Sequence, residues 1–228
     1  MFDNKPILAI ETSQSLCSTC VYFSVNKYFE MNFKLKNAHA EKLFESIESV
    51  LNSAEKKIND IGAIAISAGP GSFTGLRIGM SAAKGMAFGL SLPVIPVPTF
   101  EALALQICGF LHDNTEFIIA NKINTEEIYF AKFKKSYPNY IFVENLQMLN
   151  YEEMNNKLGN TLIFGNASLD SGNNLFSIRQ NKDISSPSAK FIARWSEQFG
   201  SDKVLNNYEY LEPTYIKNFI VKEKKNVQ

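Results

Sequence analysis

A glycine-rich stretch, AISAGPGSFTGLRIG at residues 65–79, carries residue types that bind phosphate groups in many proteins. It combines several glycines with the hydroxyls of Ser72 and Thr74 and the cation of Arg77. A Walker loop requires G-x-x-x-x-G-K-[ST], but Leu76 stands where that motif has lysine. The dinucleotide fingerprint G-x-G-x-x-G also fails, because Thr74 replaces its third glycine. A strand-to-helix turn can still hold an anion on its free N–H groups, so phosphate binding remains one interpretation.

Close packing is the other interpretation of this stretch, and we favour it. Gly75, Gly79 and Ala83 follow each other at four-residue steps, which gives a helix face with almost no side chains. Glycine inside a helix costs about 1 kcal/mol relative to alanine, so two glycines on one face indicate a backbone that is approached closely. The predicted structural glycine loop comprises Gly69, Gly71, Ser72, Thr74 and Arg77.

Cysteine and histidine give no metal or redox site in this sequence. Cys17 and Cys20 form a C-x-x-C, but they lie in a predicted strand, where residues three apart point to opposite faces. Core packing is therefore the favoured role for both thiols, and Cys108 stands alone. His39 and His112 are isolated, and a zinc site needs more ligands than this.

The hydrophobic pattern predicts an α/β protein with two lobes of similar element order. Apolar runs predict strands at residues 7–10, 16–25, 28–35, 61–66, 93–98, 117–120, 128–133, 140–144 and 162–164. Helical spacing predicts helices from Ala40, over 75–90, around 152–158 and from Pro187. Each half therefore reads β-β-β-α-β-α. We predict an N-terminal lobe over residues 1–98 and a C-terminal lobe over 99–228.

Composition narrows the class of protein further. The 228 residues are 45% hydrophobic, and 23 basic side chains balance 23 acidic ones, so no overall field attracts nucleic acid or anionic lipid. Three cysteines, an odd number, are typical of a reducing compartment. No run approaches the length of a membrane span, and the N-terminal apolar run is too short for a signal peptide. We therefore expect a soluble, cytoplasmic protein.

Three segments of the sequence resemble the bacterial TsaB (YeaZ) family. They are AIETSQSLCSTCVYF, NAHAEKLFESIESVL and ISAGPGSFTGLRIGMSAAKGMAFGLSLPVIPVPTFEALA. The resemblance implies the actin-like, Hsp70-like ATPase fold of two ribonuclease-H-like lobes. It also implies a non-catalytic subunit that binds TsaD and works with the ATPase TsaE. Such complexes transfer threonylcarbamoyl to the adenosine beside the anticodon of certain tRNAs, and the tRNA would be reached through the complex.

Family members pair through two helices of the first lobe, which correspond here to about residues 40–52 and 75–90. They also form homodimers through the same surface. The interface residues that we predict on this basis are Phe44, Ile47, Leu51, Gly75, Leu76, Gly79, Met80, Ala83, Met86 and Ala87. The resemblance further implies that this chain binds no catalytic cofactor or metal, and that ATP, ADP and metal belong to the partner subunits.

One departure from the family concerns the second phosphate turn. Members commonly carry Asp-Ala-Arg where this chain has Lys122, Ile123 and Asn124. An actin-like ATPase needs two phosphate turns, and residues 122–126 offer no glycine that would let backbone N–H groups approach a phosphate. The first turn offers Glu11, Thr12 and Ser13. An ATPase or phosphotransferase acting alone is the alternative hypothesis, and a metallopeptidase is disfavoured because paired histidines are missing.

Overall fold

The computed structural model describes residues 5–34, 39–167, 180–214 and residue 216. Its first five strands form one sheet in the order β3-β2-β1-β4-β5. These strands are β1 (Ile7–Glu11), β2 (Leu16–Ser24), β3 (Lys27–Lys34), β4 (Ala63–Gly69) and β5 (Val94–Pro98). Strand β1 pairs antiparallel with β2 and parallel with β4. The sheet is therefore mixed, with β1 at its centre.

The other five strands repeat this order in a second sheet, β8-β7-β6-β9-β10. They are β6 (Glu116–Lys122), β7 (Glu127–Ser136), β8 (Asn139–Asn150), β9 (Leu162–Phe164) and β10 (Gln180–Asn181). Strand β6 pairs antiparallel with β7 and parallel with β9, as β1 does with β2 and β4. The repeated topology confirms the predicted fold class, two ribonuclease-H-like lobes of the actin-like fold.

Helices cover both faces of the first sheet. The α-helices of the described residues are α1 (His39–Ser53), α2 (Phe73–Leu90), α3 (Thr99–Ile107), α4 (Tyr151–Leu158) and α5 (Ala189–Phe199). Leu8 and Ile10 of β1 pack with α1 and α2, whereas Ile7 and Ala9 pack with α3 and α5. Since side chains alternate along a strand and both faces are covered, β1 reads as one continuous apolar run.

The sequence pattern did not predict helix α3 or the short strand β10. Helix α3 is buried on almost every side because it lies between the two lobes. Ala102 and Leu105 belong to the core under the first sheet, whereas Phe100 and Leu103 belong to the core of the second. A helix buried all round has no polar face, so the helical alternation of apolar and polar residues is lost.

Helix α5 returns from the second half of the chain to the first sheet. The N–H of Ala189 donates to Ser18 Oγ of β2 at 2.8 Å, and the hydroxyl of Tyr22 donates to Glu197 at 2.7 Å. Residues after 98 therefore contribute to the core of the first sheet. The division into 1–98 and 99–228 stays a prediction, and residues 168–179, 215 and 217–228 lie outside the described part of the chain.

Strand β2 places its two cysteines in opposite cores, as the sequence predicts. Cys17 packs with α1 and α2, and Cys20 packs with α3 and α5. These two thiols and Cys108 are all free and buried. Within the described ranges, no three metal-ligating side chains of the His, Cys, Asp or Glu type come together. No helix in the same ranges has the length and apolar character to cross a membrane.

Candidate functional site

The glycine segment, residues 69–75, joins β4 to α2 and lies against the turn that follows β1. A Cβ placed at Gly75 would collide with the carbonyl oxygen of Thr12, and one at Gly79 would collide with Thr12 Oγ1. Thr12 Oγ1 donates a hydrogen bond to the carbonyl of Gly75 at 2.8 Å. The start of α2 therefore sits directly on the backbone of the first turn. These contacts favour close packing over phosphate binding.

The beginning of the segment is fixed in the same way. Gly69 has φ +104°, and a Cβ there would lie 2.8 Å from the carbonyl oxygen of Thr214. The N–H of Ser72 donates to the carbonyl of Ser13 at 2.6 Å. Ser72 also caps α2, because its Oγ accepts from the N–H of Gly75 at 3.3 Å. These interactions occupy backbone groups that an anion would need.

The other predicted loop residues lie outside this contact. Thr74 and Arg77 are exposed, and the Arg77 guanidinium sits over the Phe73 ring at 3.8 Å from its centroid. Arg77 therefore stacks on an aromatic ring at the surface of α2.

The predicted partner interface needs correction, because most of its residues are buried in their own lobe. The buried members are Ile47, Leu51, Gly75, Leu76, Gly79, Met80, Ala83 and Ala87. The glycine and alanine positions form an inner row on α2, namely Gly75, Gly79, Ala83 and Ala87, that faces the sheet and the first turn. A neighbouring protein cannot touch these side chains without unfolding the lobe. Phe44 and the partly exposed Met86 are the predicted members that remain accessible.

The outward side of α1 and α2 presents a different surface. Phe44 on α1 is 57% exposed, and Phe88 near the end of α2 is 83% exposed. A groove of about 470 Å³ runs between the two helices. Its lining residues are Ala40, Leu43, Phe44, Arg77, Ile78, Ser81 and Ala82. Phe44 lines this groove, and exposed aromatic side chains are typical of protein-binding surfaces.

A second row of small residues, the outer row, lies on the exposed side of α2. Ser81, Gly85 and Gly89 follow each other at four-residue steps, and all three are exposed. A Cβ at Gly85 or Gly89 would meet nothing within 4 Å. The lobe itself therefore has no packing need for glycine at either position. Sequence reasoning missed this row, although the large apolar Phe88 among small and polar neighbours was a signal for it.

The first turn is closed rather than open. Glu11, Thr12 and Ser13 are all fully buried, and Glu11 Oε1 accepts a hydrogen bond from the N–H of Ser13 at 2.5 Å. Burial raises the pKa of Glu11 to about 7, although the Ser13 and Ser67 side chains and the Ser13 N–H lower it. The carboxyl group of Glu11 is therefore enclosed by protein atoms.

The second turn is organised by amide side chains. Asn124 Oδ1 accepts from the N–H groups of Glu126 and Glu127 at 2.8 and 2.9 Å. Asn166 Oδ1 accepts from the N–H of Lys122 at 2.8 Å, and its Nδ2 donates to Gln14 Oε1 of the first lobe at 3.2 Å. Asn124 therefore shapes a tight turn, and the main chain of Lys122 holds Asn166, whose side chain makes the contact with the first lobe.

Comparison with known proteins supports the same fold. The family model "TsaD: tRNA N6-adenosine threonylcarbamoyltransferase" matches residues 34–135. A solved structure of YeaZ from Pseudomonas aeruginosa superposes with a TM-score of 0.75 at 22% identity, covering 93% of this chain and 100% of that chain. A second, described as an uncharacterized protein with similarity to peptidase YeaZ from the same organism, has a TM-score of 0.76 at 20% identity and the same coverage.

Two relatives that match almost the whole chain carry the same name. The protein of Haemophilus influenzae named tRNA threonylcarbamoyladenosine biosynthesis protein TsaB is 27% identical, with 97% of both chains covered. The Escherichia coli protein of the same name is 26% identical over 96% of this chain and 97% of its own. Fold and site together define a two-lobed, actin-like protein with a closed first turn and an exposed pair of helices. The chain is similar over almost its whole length to proteins named TsaB and has the fold of YeaZ.

Proposed function

We propose that this chain is a subunit of a system that forms threonylcarbamoyladenosine in tRNA, and that it acts by binding a TsaD-like protein. Two relatives that match almost the whole chain carry the name of this biosynthesis, which is the observation that carries the proposal. The match of residues 34–135 to the TsaD family model supports a partner of related fold.

The surface proposed for this contact is the outward side of α1 and α2. Phe44 and Phe88 provide two large apolar side chains that a partner would bury, and aromatic residues are enriched among the side chains that dominate binding energy. The outer row provides a strip of exposed main chain that a second helix can approach closely. Arg77 and Ser81 in the groove add polar groups that orient the partner. When the partner is absent, the same surface pairs two copies of this chain.

The chain is proposed to do no catalysis of its own. The first turn, which would hold a phosphate in an ATPase of this fold, is covered by the glycine segment. Burial raises the pKa of the Cys17 and Cys108 thiols to about 11, so neither is a ready nucleophile. ATP, ADP and metal are accordingly proposed for the TsaD-like subunit and a TsaE-like ATPase, in a cytoplasmic complex that meets the tRNA as a whole.

Binding to the TsaD-like protein of the same cell tests this proposal. The Phe88→Ser variant should weaken the complex about 30-fold, because a large aromatic side chain buried by a binding partner contributes about 2 kcal/mol at a hot spot. The Phe110→Ser variant is the matched control, since Phe110 is 66% exposed but belongs to the second lobe. It should bind like the wild type. Calorimetric titration of each purified chain measures the affinities.

Two outcomes count against the proposal. Equal affinities for the two variants, or no complex with the wild type, would refute the proposed surface or the partner. Threonylcarbamoyladenosine in tRNA from a strain lacking this chain, quantified by mass spectrometry, should fall and should return with the wild type but not with Phe88→Ser. Micromolar ATP binding with turnover by the isolated chain would favour the ATPase alternative.

A further inference from the structure

Residues 205–214, which we call the strap, run from the edge of the first sheet to the start of the glycine segment. At the beginning of the strap, Leu205 and Val94 of β5 exchange backbone hydrogen bonds of 2.9 Å in both directions. Strand β5 is the last strand of the sheet, so this pairing covers its edge. At the end of the strap, the N–H of Thr214 donates to the carbonyl of Ala68 at 2.7 Å. The strap is therefore attached to the first lobe at both ends.

Lys84 of α2 holds the middle of the strap. Its Nζ donates to the carbonyl of Glu209 at 2.6 Å and to the carbonyl of Leu211 at 3.3 Å. Tyr208 and Leu211 pack against the core that α1 and α2 cover. Tyr210 lies between the two bonded carbonyls, and its side chain is 85% exposed. The strap therefore buries two side chains on the first lobe and presents the ring of Tyr210 to the outside.

The strap and α1 flank the outward face of α2 on opposite sides. Ile78 and Ala82 line the groove beside α1. Lys84, which carries the strap, is two residues beyond Ala82 and therefore lies about 200° further around the helix axis. Phe88 follows Lys84 by four residues, so both side chains lie on the same side of α2. The strap therefore forms a second wall of the surface, opposite α1, and places Tyr210 on the side of α2 that carries Phe88.

The two walls of this surface are acidic. Exposed carboxylates belong to Glu41, Glu45 and Glu48 on α1 and to Glu209 and Glu212 on the strap. Among the described residues, they outnumber the cations of the same surface, which are Lys42, Arg77 and Lys84. A partner with an apolar centre and a basic rim complements such a surface, whereas a second copy of this chain would bring acidic walls together.

We propose that the strap is part of the partner surface, that Tyr210 contacts the partner beside Phe88, and that the partner carries a basic rim. This proposal rests on the proposed function, because it adds a wall to the surface of α1 and α2 that binds the TsaD-like protein. Tyrosine suits the edge of an interface, since the partner buries its ring while its hydroxyl keeps a polar contact.

Calorimetric titration of the TsaD-like protein into Tyr210→Ser tests the strap. Binding should weaken about 10-fold, because the variant removes an aromatic side chain that the partner buries. Tyr137→Ser is the matched control, since Tyr137 is 81% exposed but lies in the second lobe, and it should bind like the wild type. Both variants should unfold in urea like the wild type, because each ring lies mostly in solvent.

The salt dependence of association tests the basic rim. Raising NaCl from about 50 to about 500 mM should slow association of the wild-type complex about 10-fold, because salt screens attraction between opposite charges. Glu209→Gln should reduce this salt dependence. Glu152→Gln, which removes an exposed carboxylate from α4 of the second lobe, should leave it unchanged.

The outcomes separate this proposal from the proposed function. If Phe88→Ser weakens binding but Tyr210→Ser binds as tightly as Tyr137→Ser, the strap is not part of the surface and the proposed function stands. If the wild type forms no complex, or if Phe88→Ser also binds normally, the proposed function fails and the role of the strap fails with it. Association that is independent of salt, or an equal salt dependence in Glu209→Gln and Glu152→Gln, overturns the basic rim.

Discussion

Replacing Gly79 by alanine distinguishes internal packing from partner contact on α2. A Cβ at this position would collide with Thr12 Oγ1 and lie 3.0 Å from Ile66 Cδ1. Thr12 has little freedom to move, because it is fully buried and donates to the Gly75 carbonyl. Helix propensity favours alanine by about 1 kcal/mol, overpacking costs about 1–3 kcal/mol, and loss of the Thr12 hydrogen bond costs about 1 kcal/mol. We expect the free energy of unfolding to fall by about 1–3 kcal/mol.

Gly85→Ala in the same helix is the matched control. Nothing lies within 4 Å of a Cβ at Gly85, so helix propensity acts alone and stability should rise by up to about 1 kcal/mol. Urea unfolding measures both changes, and each kcal/mol should shift Tm by about 2–4 °C for a chain of this length. The order should reverse for the TsaD-like partner: Gly85→Ala weakens binding, whereas folded Gly79→Ala binds normally. If Gly79→Ala is as stable as Gly85→Ala, the inner row is wrongly assigned.

Three further changes test other parts of the structure. Burial in the folded state raises the pKa of Glu11 from 4.5 to about 7, so the folded state holds this proton more tightly than the unfolded state. The free energy of unfolding should therefore fall by about 3 kcal/mol as the pH rises from 4.5 to about 7. Urea unfolding of Glu11→Gln should show most of this pH dependence lost, and an unchanged pH dependence contradicts the assignment. Phe44→Ser should change stability by less than about 0.5 kcal/mol yet weaken partner binding by more than about 1 kcal/mol in calorimetry, whereas equal binding would remove Phe44 from the surface. Alanine at Asn166 and at Gln14 should give a coupling of about 0.5–1 kcal/mol in a double-mutant cycle followed by thermal unfolding, and zero coupling would mean that their 3.2 Å contact contributes nothing.

Much of the architecture could be predicted from the sequence, because burial gives most helices and strands a recognisable pattern of apolar residues. The central strands β1 and β4 are short apolar runs since helices cover both of their faces. The glycine segment indicated a close approach of backbone to backbone, and the structure places such an approach at Gly75 against Thr12. Helix α3 was not predicted, because it is buried between two cores and therefore lacks the polar face by which a helix is recognised.

The closed first turn could not be read from the sequence. Glu11, Thr12 and Ser13 look like polar residues after a strand, and such residues usually face a ligand or solvent. Their burial depends on contacts with residues about sixty positions away, in which Ser72 and Gly75 bond back to the turn. The residue types of the turn do not indicate contacts with such distant residues. The raised pKa of Glu11 is therefore apparent only in the folded lobe.

A single contact on α2 identifies which of its two rows of small residues faces inward, which the four-residue spacing alone does not. Both rows advance by four residues, about 400° around the helix, so each stays on one side. The sequence alone does not say which row faces inward. Once Gly75 rests on Thr12, the inner row must follow it, and Ser81, six residues on, lies about 240° around the axis with the outer row behind it. Each exposed glycine in the outer row weakens the helix by about 1 kcal/mol and gives the lobe nothing in return. Glycines at these positions, beside the exposed Phe88, leave room for the close approach of a second main chain that the proposed partner surface requires.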